Sequence, residues 1–358
     1  MILFYLIFSI LLIGALLQLY NLIDKNFDYS SKSILFIVAF LLIVIAGFNL
    51  TSNDYIAYSE IIKQSAILPI SEYNNIHGDF LFKLLSGFVY SNTGSLDATF
   101  VTFAFISVFS VFYIITKDSK LAFFSVFIYF AHAFLNKEMI QIRAGLASAL
   151  LLVAISSQAH RKNKMAFIYI VLSGYFHSSA LIALIPYTFS LFFKGDNFKK
   201  ISFILLLLSF SFYFFNIPAV IIQYSNLLGI LPNGVNNYTE WNLYNYDLGL
   251  LNPNTIKQII IIFLALYYFS NNKLYSTYYC YFLIGVCWLI SFSSIAILAA
   301  RISSILTISE LILVPMIIQN AVKNRILIGW IFIFLYIVMF FMNVFFRNIT
   351  NGLYLGFF

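Results

Sequence analysis

Apolar stretches about as long as a membrane is thick recur from one end of the sequence to the other. They fall near residues 2–20, 33–50, 97–116, 120–135, 143–158, 165–193, 201–216, 256–271, 274–297, 302–319 and 326–346. Each approaches the roughly 20 apolar residues that carry a helix across hydrocarbon. Lipid offers the backbone no hydrogen-bond partner, so single-chain spans of this kind must be helical. Composition agrees: 62% of the residues are hydrophobic and 9% are charged, against about 25% charged in soluble chains. Too few charges remain to solvate a soluble domain, which excludes a cytosolic enzyme or a nucleic-acid-binding module. The expected architecture is an all-α polytopic integral membrane protein. It would be a single transmembrane domain over residues 1–358, with about 11 or 12 transmembrane helices. The stretch Met1–Tyr20 lacks a basic leader and a small-residue cleavage site, and reads as a retained span. The run 165–193 is interrupted by Ser173, Gly174 and His177 and reads as two short helices or a broken hairpin.

The net charge of +7 follows topology rather than a polyanionic partner. Lys25, Lys32, Lys117, Lys120, Arg161, Lys162, Lys164, Lys194, Lys199, Lys200, Lys273, Lys323 and Arg325 occupy short loops between apolar runs. The alternating connections are the longer segments 51–79 and 217–255. Between Pro218 and Asn254 there is no Lys or Arg, whereas Glu240 and Asp247 are present. The positive-inside rule makes the basic loops cytoplasmic and the long loops external. The alternation closes when 165–193 crosses twice, with both termini outside.

Drawn this way, the remaining polar residues gather on one side. Asp54, Glu60, Asp79, Arg143, His177 and Arg301 all fall at or just below the external face. Ionisable residues in membrane segments are costly and usually face a bundle interior or a wet cavity. An external polar cavity is therefore expected. Arg143 and Arg301 each have two readings: a snorkelling side chain at a helix end, or a forked donor for phosphate. Two arginines in one cavity repel unless an anion joins them, which favours a di-anionic ligand. His177 is either a histidine bonded to a backbone carbonyl or a proton acceptor or phosphate donor. Asp54 and Asp79 could cap the helices that follow them, or act as a base or as sugar-hydroxyl ligands.

Lys137 and Glu138 precede the Arg143 span and could line the cavity mouth. The segment 236–247, with Glu240 and Trp241, offers stacking faces and amides for a sugar, or simply an interfacial aromatic belt. Glu310, nine residues beyond Arg301, is expected on the opposite helix face, about 13 Å deeper, in a structural hydrogen bond to another span. Cys280 and Cys287 are seven apart in one apolar run, too far for a disulfide if helical. The sequence has no Asp-x-Asp pair, His/Cys cluster, phosphate-cradling glycine loop or nucleophile elbow. It supports neither a nucleotide-sugar donor nor a bound metal or other cofactor, so anion chemistry would fall to guanidinium groups.

These residues resemble a known family. Asp54-Tyr55-Ile56-Ala57-Tyr58 after an early span comes first, then Gly78-Asp79-Phe80. Asn136 to Arg143 follows with its small residues, then the basic loop 161–164, Phe176-His177-Ser178-Ser179-Ala180, and the Arg301 turn. Together they resemble the bacterial O-antigen polymerase (Wzy) group, most closely its EpsG-like branch. The resemblance departs in three places. No Arg stands shortly before Asp54, Asp79 stands where Glu is common, and Arg143-Ala144 stands where Arg-Gln is common.

The resemblance implies a glycosyltransferase at the external face of the bacterial inner membrane. A glycan on polyprenyl diphosphate would be transferred to a lipid-linked repeat unit, releasing polyprenyl diphosphate. It also implies a separate chain-length co-polymerase as a partner. On that reading Arg143 and Arg301 hold the diphosphate. His177, Asp54 and Asp79 compete as base or ligand, and Lys137, Tyr55, Tyr58, Glu240 and Trp241 contact substrate. A flippase for lipid-linked saccharide, an O-antigen ligase or a membrane acyltransferase stays open as an alternative.

Overall fold

A computed structural model describes residues 2–21, 29–49, 54–192, 197–218, 220–221, 224 and 247–346. The described residues form an all-α polytopic membrane protein. In chain order the helices are α1 (Ile2–Leu19), α2 (Tyr29–Gly47), α3 (Tyr55–Ile67), α4 (Phe80–Thr93) and α5 (Leu96–Asp118). Then come α6 (Ala122–Lys137), α7 (Ile142–Ala159), α8 (Asn163–Phe176), α9 (Leu184–Phe192) and α10 (Asn197–Phe214). The series ends with α11 (Pro253–Tyr267), α12 (Lys273–Ser291), α13 (Ala296–Leu306), α14 (Glu310–Asn320) and α15 (Arg325–Phe341).

Among the described residues, six helical segments are long and apolar enough to cross a membrane: α1, α5, α7, α12, the pair α13–α14, and Val322–Phe345. Four shorter apolar helices accompany them. Burial separates the centre from the lipid-facing rim. The α7 window is 83% buried and that of α12 is 72%, against 44% for α1. The small residues that begin α7 (Ala144, Gly145, Ala147, Ser148, Ala149) let its neighbours approach. An ideal Cβ at Gly145 would lie 2.9 Å from Glu138 Oε2.

The interrupted apolar run is a hairpin. Helix α8 ends at His177, whose backbone is extended, and a 3-10 turn over Ser178–Ala183 leads into the returning α9. Tyr187 on α9 donates from its hydroxyl to Asn163 O at the start of α8, at 3.3 Å. Gln158 at the end of α7 donates to Tyr187 O at 2.9 Å and to Ser190 at 2.7 Å.

Polar contacts mark one end of the bundle. Asp118 accepts from Tyr278 at 2.6 Å and pairs with His160 at 2.8 Å. Gln18 accepts from the Phe123 amide at 3.0 Å, and Arg325 donates to Asn21 at 2.6 Å. Since α7 runs from Ile142 to Ala159 with Arg143 in its first turn, the basic loop at Arg161–Lys164 lies at the end opposite Arg143.

The segment 51–79 is more than a connection. It contains α3 and a 3-10 turn at Ile70–Asn75, folded on α4 around a small apolar core. Tyr58, Ile61, Ile62, Tyr73, Ile76 and Phe82 meet Phe100, Phe103, Ile142 and Leu146 there. The buried Lys83 ammonium donates to the carbonyls of Tyr73 (2.6 Å) and Ile76 (3.1 Å), closing the turn. This core holds α3 and α4 against the first turn of α7. Of the segment 217–255, residues 225–246 lie outside the described residues, so Glu240 and Trp241 do as well.

Candidate functional site

Two carboxylates stand at helix starts without capping them. Asp54 precedes α3 and Asp79 precedes α4, and neither side chain bonds its own helix. Asp79 instead reaches across the chain. Its Oδ1 accepts from the Ser178 amide at 3.0 Å. Its Oδ2 accepts from Arg143 Nη1 at 3.3 Å and lies 3.5 Å from His177 Nδ1. The residue before it makes this possible. Gly78 has φ +116°, a conformation that L side chains rarely adopt. A Cβ there would stand 3.1 Å from Arg143 Nη1.

The Arg143 guanidinium is held by more than its ion pair. It lies 5.6 Å over the Tyr58 ring and 5.7 Å over the Phe82 ring. Both rings belong to the small core beneath α3 and α4, so this cation–π contact fixes the guanidinium in place. Its side chain is 18% exposed, which sets it in a cavity wall rather than in open solvent. His177 is positioned by the end of α8, where the chain turns into the hairpin.

Asp54, Tyr58, Gln141, Arg143, His177 and Arg301 line one polar cavity of about 50 Å³. Arg301 arrives from α13, far from Arg143 in sequence. The two arginines line the same space. A second cavity of about 120 Å³ shares Gln141 and Arg301 and extends along α13 to Thr307 and Glu310. Among the described residues no group of three or more His, Cys, Asp and Glu side chains is placed to hold a metal ion.

The two carboxylates differ electrostatically. Burial pushes the Asp54 carboxyl above the usual carboxylate range, against the pull of Arg301 and Arg143. Burial also acts on Asp79, but the close His177 ring, the Ser178 hydrogen bond and the Arg143 charge outweigh it. Asp79 is held below the usual range. One carboxylate is therefore a locked anion and the other is more basic than an ordinary aspartate.

The remaining expected residues are distributed as follows. Tyr58 lines the cavity, whereas the Tyr55 ring stacks on Phe100 at 5.2 Å. Lys137 lines the second cavity. Glu138 turns away from both, accepting from Ser107 at 2.8 Å and Tyr129 at 3.1 Å. Glu310 makes its expected bond to another span: its oxygens lie 2.9 and 3.0 Å from Lys257 Nζ on α11, and Gln258 donates to it at 3.3 Å. It also lines the same cavity as Arg301. The 3-10 turn Thr307–Ser309 separates the two residues, between α13 and α14. Two contributors escaped the sequence reading. Gln141 begins α7 and reaches both cavities, and only its position two before Arg143 hinted at it. Lys257 was hidden because a single Lys in an apolar run looks like a snorkel.

The family model that matches this chain is that of the EpsG family, over residues 32–356. Among curated proteins, the amylovoran biosynthesis protein AmsC of Erwinia amylovora is 30% identical over 223 residues, covering 58% of this chain and 56% of AmsC. The match thus spans little more than half of that relative's length. No solved structure matches the chain. With the family model covering nearly the whole sequence, this protein is a member of the EpsG family.

Proposed function

We propose that the protein is an exopolysaccharide polymerase, a membrane glycosyltransferase. It would move a growing glycan from polyprenyl diphosphate onto the non-reducing sugar of a lipid-linked repeat unit. The cavity would face the periplasm across the bacterial inner membrane, with the basic loops in the cytoplasm. The observation that carries this reading is the cavity shared by Arg143 and Arg301. Family membership and the likeness to an amylovoran biosynthesis protein support it.

The chemistry follows from the groups present. The acceptor hydroxyl oxygen forms a bond to the donor's anomeric carbon while the bond from that carbon to the diphosphate oxygen breaks. The hydroxyl proton goes to a base and the diphosphate leaves with its electron pair. Charge grows on the leaving oxygen, and fixed guanidinium groups that stabilise it contribute several kcal/mol, about 3 for a single well-placed donor. Asp79 keeps Arg143 and His177 in place rather than taking the proton, because each of its oxygens already accepts a hydrogen bond, from Ser178 and from Arg143. Asp54 is the better base: it lines the cavity, makes no helix cap and has a raised pKa. His177 then faces the leaving group or a sugar hydroxyl.

The test is glycan analysis of a deletion strain carrying variant genes. Arg143→Ala and Arg301→Ala should leave single repeat units on the lipid carrier or acceptor, with no long ladder and normal protein levels. Precursor trapped in the cytoplasm would instead indicate a flippase, and loss of all attached glycan would indicate a ligase.

A further inference from the structure

The Lys137 side chain is 5% exposed, yet it points into the larger cavity. Its ammonium donates to Ser148 Oγ at 2.6 Å and lies 3.5 Å from Ser304 Oγ. Both partners are neutral. The carboxylates nearby are committed elsewhere: Glu138 to Ser107 and Tyr129, Glu310 to Lys257. Among the described residues no carboxylate forms an ion pair with Lys137. Glu138 and Glu310 act on its charge from a distance without pairing with it, and a buried ammonium so incompletely offset is costly. An anion entering the cavity would offset that cost.

The local fold is built to present this group. Helix α6 passes into a π-helical turn at Tyr129–Phe134, just before Lys137. Such turns break the regular ladder and recur at functional sites. A second π-turn, Met342–Phe346, follows α15, and Asn343 ties the two together. Its amide donates to Ala131 O at 3.1 Å and its oxygen accepts from Asn136 at 3.2 Å.

We propose that this cavity is a second phosphate subsite, with Lys137 as its buried ammonium ligand. Resting on the proposed polymerase reading, it would hold one phosphoryl group of a diphosphate while the Arg143 cavity holds the other. Arg301 borders both cavities and bridges the two phosphates. The subsite makes the protein read a diphosphate rather than a monophosphate. A released carrier that loses its second phosphate would then bind weakly and leave.

Titration of the protein in nanodiscs with polyprenyl diphosphate and with polyprenyl monophosphate tests this. The wild type should bind the diphosphate about tenfold or more tightly, the worth of one buried charge-assisted contact. Lys137→Met should bring that ratio close to one while leaving monophosphate affinity within about twofold. Ser304→Ala, which leaves the ammonium in place, should lower the ratio by about threefold and guards against a misfolded Lys137→Met. Inorganic pyrophosphate must show the same Lys137 dependence. If only the lipid-borne form shows it, the side chain reads the lipid and the phosphate assignment fails. An unchanged ratio in both folded variants overturns the inference while leaving the parent reading intact. Arg143→Ala and Arg301→Ala should weaken both lipids, and full binding in both would overturn the parent reading itself.

Discussion

Asp79 Oδ2 and Arg143 Nη1 stand 3.3 Å apart, joining two residues 64 positions distant in sequence. The pair fastens the α3–α4 unit to α7 and sets the guanidinium in the cavity wall. Asp79→Asn should leave the chain folded and lower polymerisation by about ten- to a hundredfold, as expected for loss of one partner of a partly buried pair. Asp79→Glu should retain more activity than Asp79→Asn. Turnover in nanodiscs, normalised to folded protein, checks both.

The opposite pKa shifts of the two carboxylates separate stability from rate. Asp79 has a lowered folded-state pKa, so its contribution is present above the unfolded value and is lost as pH falls through the folded one. Acid unfolding should therefore be less steep in Asp79→Asn, read from melting temperature against pH below the usual carboxylate range. Asp54, with a raised pKa, must be ionised to act as base. Activity should fall on acidification at a pH above the usual aspartate range. Arg301 opposes that rise, so Arg301→Gln should move the acid limb of the residual rate further upward.

Gly78→Ala tests the turn that lets Asp79 meet Arg143. The new methyl must adopt φ near +116° and would approach Arg143 Nη1 to 3.1 Å. A loss of about 1–2 kcal/mol in stability is expected, with a larger fall in activity because the guanidinium is displaced. Gly94→Ala is the control: it too has positive φ, but nothing lies within 4 Å of the added carbon. It should cost stability without the same loss of rate.

The Lys257–Glu310 pair is nearly fully buried, with side chains 1% and 4% exposed. Removing one partner leaves an uncompensated charge, and either Lys257→Met or Glu310→Leu should cost about 3–5 kcal/mol. The double variant should recover much of that loss. Thermal unfolding in detergent, arranged as a double-mutant cycle, measures the coupling.

Much of this architecture was legible because lipid restricts the choices. Apolar runs of span length dictate helices, and Lys and Arg in alternate loops give an order to the ends. That order alone brings Arg143, His177 and Arg301 to one side. What the sequence hid depends on departures from regular helix geometry. The 3-10 turn at Thr307–Ser309, which stands between Arg301 and Glu310, cannot be read from an apolar pattern. Lys137 seemed a mouth residue, whereas the π-turn before it and the close passage of Gly145 sink it into a cavity wall. Asp79 resembled a helix cap because an Asp before an apolar helix usually is one. Its use as a cross-chain clamp depends on Ser178 and His177, contributed by a distant hairpin.

The central claim is that Arg143 and Arg301 jointly stabilise a departing diphosphate. It is tested most directly by single-turnover polymerisation with purified protein in nanodiscs and lipid-diphosphate-linked repeat units. Arg143→Ala and Arg301→Ala should each slow glycosidic bond formation by about a hundredfold or more, with unfolding temperatures near that of the wild type. The double variant should be little slower than either single one. Bond formation at the wild-type rate in either folded single variant would contradict the account.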